Sequence, residues 1–103
     1  MTIVSDTSPL CYLVLIGQAG VLPNLYGGVH TTRTVMDELR HAEAPPLVRA
    51  WAGSPPDWLE IHPDLADPDP LLNMLDRGKR TALRLAERLR ADVILLDEAA
   101  ARG

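Results

Sequence analysis

The chain has few of the features that mark secreted or membrane proteins. It has one cysteine, Cys11, among its 103 residues. A single cysteine excludes an internal disulfide and fits a reducing cytoplasm, where we expect the protein to reside. Its neighbours Leu10 and Tyr12 indicate a small hydrophobic side chain rather than a catalytic thiol. No apolar run is long enough to cross a bilayer, and the first residues lack the basic segment of a secretory signal, so we expect no membrane association.

The motifs of several enzyme classes are also absent. The three histidines, His30, His41 and His62, show no metal-ligand spacing, and no cysteine cluster supports a zinc site. The pair of glycines at 27–28 lacks the rest of any phosphate-binding loop. Aspartates alternate in the proline-rich segment 63–70, but the glycine and glutamate of a calcium-binding EF-hand are missing, so this segment is predicted to be a loop. No arrangement of serine, histidine and acid suggests nucleophilic catalysis.

The charge distribution narrows the classes of partner. A net charge of −4 argues against a protein that coats DNA, but it is compatible with a nuclease whose acids are concentrated at a metal site. Basic residues do cluster, because spacings of three, four and four place four arginines on one face of a predicted helix: Arg77, Arg80, Arg84 and Arg88. This stripe is either a solvated helix face or a phosphate-binding surface that leads to the site.

Two short apolar runs each end in an acid. Ile-Val-Ser-Asp ends at Asp6, and Val-Ile-Leu-Leu-Asp ends at Asp97. Such runs are typical of buried parallel strands, whose carboxyl ends meet at the edge where open α/β sheets bind ligands. Two neighbouring carboxylates repel, so they need a cation, a proton or a basic side chain, and an oxygen-ligand metal site is the first hypothesis. Asp6 could instead bond to its own loop backbone, and Asp97 could cap a helix, in which case Glu98 could replace it as a ligand.

The order of the predicted elements indicates the fold class. We predict β-α-α-β-α-α-β-α-β in one domain over residues 1–103, forming a three-layer α/β/α sandwich with a mainly parallel sheet. The chain ends four or five residues into its last predicted helix. We therefore expect a truncated domain that lacks its final edge strand and helix, or one that depends on a partner. The last strand, at 93–96, should then drive formation of a homo-oligomer.

A polar residue that caps a helix is less available as a metal ligand, so we first assign the helix caps. Ser8 is predicted to cap the first helix, which leaves Asp6 outside the cap. Thr32 is predicted to cap a helix over residues 33–41. Glu38 lies at the border of the core face of that helix, where it could reach the same crevice as Asp6.

Four segments together resemble PIN-domain proteins, in particular the branch close to VapC-type toxins. They are residues 3–10 (Ile-Val-Ser-Asp-Thr-Ser-Pro-Leu), 35–39 (Val-Met-Asp-Glu-Leu), 75–78 (Leu-Asp-Arg-Gly) with the helix after them, and 95–102 (Leu-Leu-Asp-Glu-Ala-Ala-Ala-Arg). The resemblance covers the whole chain in the right order. Its first and last motifs are fairly specific, whereas the second would mean little alone.

The resemblance implies a metal-dependent endoribonuclease in which four acids surround Mg²⁺ or Mn²⁺. It also implies RNA as the substrate and a cognate antitoxin as the protein partner. By position, three of the acids are Asp6, Glu38 and Asp97. Thr7 or Ser8 could hydrogen-bond to one of these ligands.

The chain departs from the family pattern at the fourth acid. The position directly after Gly78 is Lys79. One alternative is therefore a non-catalytic PIN-like module that binds protein or RNA, with the Lys79 ammonium neutralising the acids in place of a metal. A phosphoacceptor signalling domain is a third class, but it would need a second acid beside Asp6, where the chain has Ser5.

Overall fold

The computed structural model describes residues 1–64 and 77–96. The elements, in chain order, are β1 (Ile3–Ser5), α1 (Thr7–Leu15), α2 (Val21–Tyr26), β2 (Val29–Thr32), α3 (Arg33–Leu39), α4 (Pro46–Gly53), β3 (Leu59–His62), α5 (Arg77–Leu89) and β4 (Val93–Leu95). This order confirms the predicted succession of strands and helices. Most of the predicted loop 63–70, Asp97, Glu98 and the predicted last helix lie outside the described residues.

The four strands form one parallel sheet in the order β3-β2-β1-β4. The central strand β1 is fully buried, as expected for a parallel strand covered on both faces. Its Val4 is paired with His30 of β2 on one side and Ile94 of β4 on the other. Because every pair is parallel, the carboxyl ends of all four strands lie at one edge of the sheet.

Helices cover both faces of the sheet and create two cores. On one face, α1 to α4 pack around a large cluster that includes Leu10, Met36 and Val48. On the other face, α5 packs Ala82 and Leu85 against the even-numbered residues of the strands, such as Val4. The predicted three-layer α/β/α fold is thereby confirmed. Among the described helices, none has the length and apolar character needed to span a bilayer.

The cap of α1 differs from the prediction. Asp6, with extended backbone angles, is the N-cap, and its side chain accepts a hydrogen bond from the Thr7 N–H. The prediction that Ser8 caps this helix is wrong, because the helix begins directly at Thr7 and Ser8 lies inside its first turn. The predicted cap of α3 is confirmed, since the Thr32 side chain accepts from the Val35 N–H. Asp6 therefore combines a structural role with its place at the end of β1.

Strand β4 borders only β1 within the described part of the sheet. Its three residues, Val93, Ile94 and Leu95, are only half-buried although all are apolar. An apolar strand with one unpaired side is prone to pair with another chain. We expect the protein to self-associate at tens of micromolar, an order-of-magnitude choice within the range where exposed edges associate. Sedimentation velocity should show species larger than the monomer, and a single stable monomer would contradict this expectation.

Candidate active site

Thr7 joins two of the predicted acids at the carboxyl edge of the sheet. Its N–H donates to Asp6 Oδ1 at 2.7 Å, and its hydroxyl donates to Glu38 Oε2 at 2.9 Å. Asp6 comes from the end of β1 and Glu38 from the last turn of α3, so the fold brings together residues that are far apart in sequence. One threonine thus holds both carboxylates in place.

Each acid is positioned by the element that carries it. The Asp6 N–H donates to the Leu95 carbonyl of β4 at 3.0 Å, and the residue is only 2% exposed. Glu38 is half-buried because its neighbour Leu39 packs into the core and anchors the end of α3. The position of Glu38 at the border of the core face agrees with the interpretation of the sequence.

Gly78 brings α5 into direct contact with Glu38 and Thr7. A Cβ atom added at Gly78 would overlap both carboxylate oxygens of Glu38 and lie 2.8 Å from Thr7 Oγ1. The first turn of α5 can approach the carboxylate this closely only because residue 78 has no side chain. This close approach gives a physical reason for the glycine that precedes Lys79.

Lys79 follows in the same turn and is buried. It is only 8% exposed, and it belongs to the inward side of α5 together with Gly78 and Thr81. Placed near the acids, its ammonium would offset part of their negative charge and would oppose a second cation at the same place.

The profile of the PIN-domain family matches residues 2–103. This chain belongs to the PIN-domain family. No curated protein and no solved structure matches it. PIN domains are generally nucleases that use divalent metal ions, and they commonly bind RNA.

The described acids of this PIN domain are chemically suited to a hard divalent cation. The carboxylate oxygens of Asp6 and Glu38 are ligands that Mg²⁺ and Mn²⁺ prefer. The hydrogen bonds from Thr7 fix their orientation, as is usual for the ligands of a metal. The positive charge of Lys79 disfavours a bound cation. The residues therefore fit the ion but should bind it weakly.

Three further residues were predicted to belong to this site: Asp97, Glu98 and Ser8. Asp97 and Glu98 lie outside the described residues, so the convergence of three acids stays a prediction. Ser8 is exposed in α1, and within the described segments it makes no hydrogen bond to either acid.

The arginine stripe on α5 is partly engaged within this PIN domain. Arg77 lies 3.8 Å from a carboxylate oxygen of Asp64, and Arg84 lies 3.2 Å from one of Glu87. Both contacts are ion pairs near the surface, and such pairs contribute little to stability. The two interpretations of the stripe, solvated face or phosphate-binding surface, both remain open.

The sequence of this PIN domain did not indicate one cluster of polar side chains that the structure brings together. His30, Glu60 and His62 bring three potential ligand atoms within 4.8 Å of one another. His30 and His62 have no ligand spacing along the chain, but the pairing of β2 with β3 brings them together. The alternation of Glu60 and His62 along one strand was a usable signal, but its meaning depends on β3 pairing with β2.

Proposed function

We propose that this PIN domain is a metal-dependent endoribonuclease, of the toxin type found in toxin–antitoxin pairs, that hydrolyses RNA phosphodiesters. Mg²⁺ or Mn²⁺ would be held by Asp6, Glu38 and Asp97. The observation that carries the proposal is the pair of carboxylates linked through Thr7 at the carboxyl edge of the sheet. When bound, the ion would lower the pKa of a coordinated water and offset charge on the attacked phosphate.

The residues of the chain prepare this chemistry before any ligand arrives. The Thr7 N–H and hydroxyl fix the two carboxylates, so little reorganisation is needed when a cation binds. Burial of Asp6 keeps bulk water from screening its charge. Gly78 lets α5 close over the Glu38 carboxylate and limits the positions that this side chain can take.

Partners and location belong to the same proposal. RNA is the substrate, a cognate antitoxin is the protein partner and the active form is a homo-oligomer in the cytoplasm. The motif around Asp6 supports the toxin branch of the family. The half-buried strand β4 supports association with another chain, and the single Cys11 supports a reducing compartment.

A second candidate function is a non-catalytic PIN domain that binds RNA or a protein. Burial of Lys79 in the turn that contacts Glu38 favours it, because an internal ammonium can neutralise the acids without an ion. The two candidates differ in whether RNA is cut, and both allow RNA to bind.

The distinguishing experiment is cleavage of a labelled single-stranded RNA by the purified chain with Mg²⁺ or Mn²⁺. We expect slow cleavage that a chelator stops and that Asp6→Asn lowers at least about tenfold, since a positioned charge is lost at the reacting centre. Asparagine is as good an N-cap as aspartate, so this variant should keep its fold. Glu38→Gln should behave in the same way.

Asp37→Asn is the matched control, because Asp37 is the exposed neighbour of Glu38 on the same helix. Its cleavage rate should equal that of the wild type. Binding of RNA without cleavage would favour the second candidate, whereas cleavage that survives Asp6→Asn would overturn the assignment of the site.

A further inference from the structure

We propose that His30, Glu60 and His62 form a second metal site, which binds Zn²⁺ or a transition-metal ion of similar ligand preference. Two imidazole nitrogens and one carboxylate oxygen are a ligand set that zinc uses in proteins. The same set suits Co²⁺ and Ni²⁺ but is a poor choice for Mg²⁺, which prefers oxygen ligands. The proposal is independent of the nuclease activity proposed above.

The three ligand atoms have the separations that a small ion requires. His30 Nδ1 shares a hydrogen bond of 2.9 Å with His62 Nε2 and lies 3.1 Å from Glu60 Oε2, and His62 Nε2 lies 3.9 Å from that same oxygen. A bound cation would take the place of the proton that the two nitrogens share. Ligands of a tetrahedral zinc ion are about 3.3 Å apart, given bonds of about 2.0–2.1 Å. A point equidistant from the three atoms lies about 2.0 Å from each, close to the length of a bond to zinc.

The pairing of β2 with β3 holds these side chains together. His30 is paired with Glu60, and Thr32 with His62, in a parallel register. Because alternate residues of a strand point to the same face, Glu60 and His62 share the face on which His30 lies. All three ligands therefore project from the backbone of a regular sheet, and little conformational entropy is lost when an ion binds.

The site is open on one side. The side chains of His30 and His62 are 24% and 23% exposed, whereas that of Glu60 is 65% exposed. A hollow of about 510 Å³ is lined in part by His30 and Glu60, and another of about 300 Å³ by His62 and Arg88. Three protein ligands with access for water are typical of zinc sites that keep a fourth position free.

The site is separate from the acids at the end of β1. His62 is on β3, two strands away from β1, and neighbouring strands are about 4.8 Å apart. This places the backbone of His62 roughly 10 Å from that of Asp6 across the sheet, while His30 on β2 is paired with Val4, two residues before Asp6. Ligand type also separates the two sites, since one offers carboxylates and the other mainly imidazoles.

Zinc titration of the whole protein in the presence of excess Mg²⁺ tests the proposal. We expect one Zn²⁺ per chain by calorimetry, and a rise in Tm of at least about 4 °C when zinc is saturating. Co²⁺ should give the intense visible absorption of a tetrahedral complex. His62→Gln, and separately Glu60→Gln, should lower the affinity for Zn²⁺ at least about tenfold, because each removes a ligand.

Two controls distinguish this site from others. His41→Gln changes an exposed histidine outside the cluster and should leave zinc binding unchanged. Glu38→Gln alters the acidic site and should also leave it unchanged. Glu60→Gln affects a mostly exposed side chain, so it reports on the site even if His62→Gln fails to fold. Absence of zinc binding, or binding that Glu38→Gln abolishes and Glu60→Gln leaves intact, would overturn the proposal.

Discussion

Replacing Lys79 with glutamate is expected to strengthen Mg²⁺ or Mn²⁺ binding at the acidic site by roughly two to three orders of magnitude. Two like unit charges about 4 Å apart repel each other with an energy of about 4 kcal/mol at an effective dielectric constant near 20. A free-energy difference of about 1.4 kcal/mol corresponds to a tenfold change in affinity. Lys79 is 8% exposed, so water screens its charge only in part. The substitution removes this repulsion and adds a carboxylate where the family pattern places an acid.

Calorimetric titration with Mg²⁺ and with Mn²⁺ measures the gain in metal affinity. Asp6→Asn in the Lys79→Glu background should abolish it, because the same ion then loses a ligand. Arg49→Glu is the matched control, since it makes the same change in net charge at an exposed position of α4. If the wild-type chain already binds the ion as tightly as the Lys79→Glu variant, Lys79 does not influence the site and this prediction fails.

Replacing Gly78 with alanine should impair the acidic site while sparing the fold. The added methyl would overlap the Glu38 carboxylate, which must move by about 1 Å, and it would crowd the Thr7 hydroxyl, which must move by less. A displacement of that size can lower activity about 100-fold. We therefore expect Gly78→Ala in the Lys79→Glu background to lower the rate of RNA cleavage about 100-fold and to weaken metal binding, because the Glu38 carboxylate is displaced.

The Gly78→Ala substitution should affect the thermal stability of the protein less than its metal binding. Alanine favours helix over glycine by up to about 1 kcal/mol, and the Glu38 side chain is long enough to move aside, so Tm should be unchanged or slightly raised. Gly53→Ala is the matched control, because Gly53 also lies in a helix and an added Cβ would contact nothing within 4 Å. Tight metal binding by the Gly78→Ala variant would show that the Glu38 carboxylate is not a ligand.

The acids of the site could be predicted because their signal is local. Asp6 ends an apolar run, and Glu38 borders the core face of a short helix, so a pattern of a few residues suffices to find each. The cap of α1 could not be predicted in this way. Asp6 and Ser8 are both good N-caps, and the choice depends on where β1 ends, which its pairing with β4 determines.

The histidine cluster was missed for a related reason. His30 and His62 are separated by 32 positions, and no spacing rule connects them until the partner of β3 is known. The inward position of Lys79 agrees with the alternative in which its ammonium neutralises the acids, although lysine is usually exposed. Local patterns identified the elements, and contacts between elements decided the rest.

The central position of β1 has a consequence for how the protein is made. One of the two neighbours of this strand is β4, and the hydrogen bond from Thr2 to Asp92 beside them spans 90 positions. Such non-local pairing is slow to form, and during synthesis it must wait until β4 is available. Because the Asp6 N–H bonds to β4, Asp6 reaches its final environment only at that stage. A nascent chain is therefore expected to lack a competent acidic site until residues 93–95 have been synthesised.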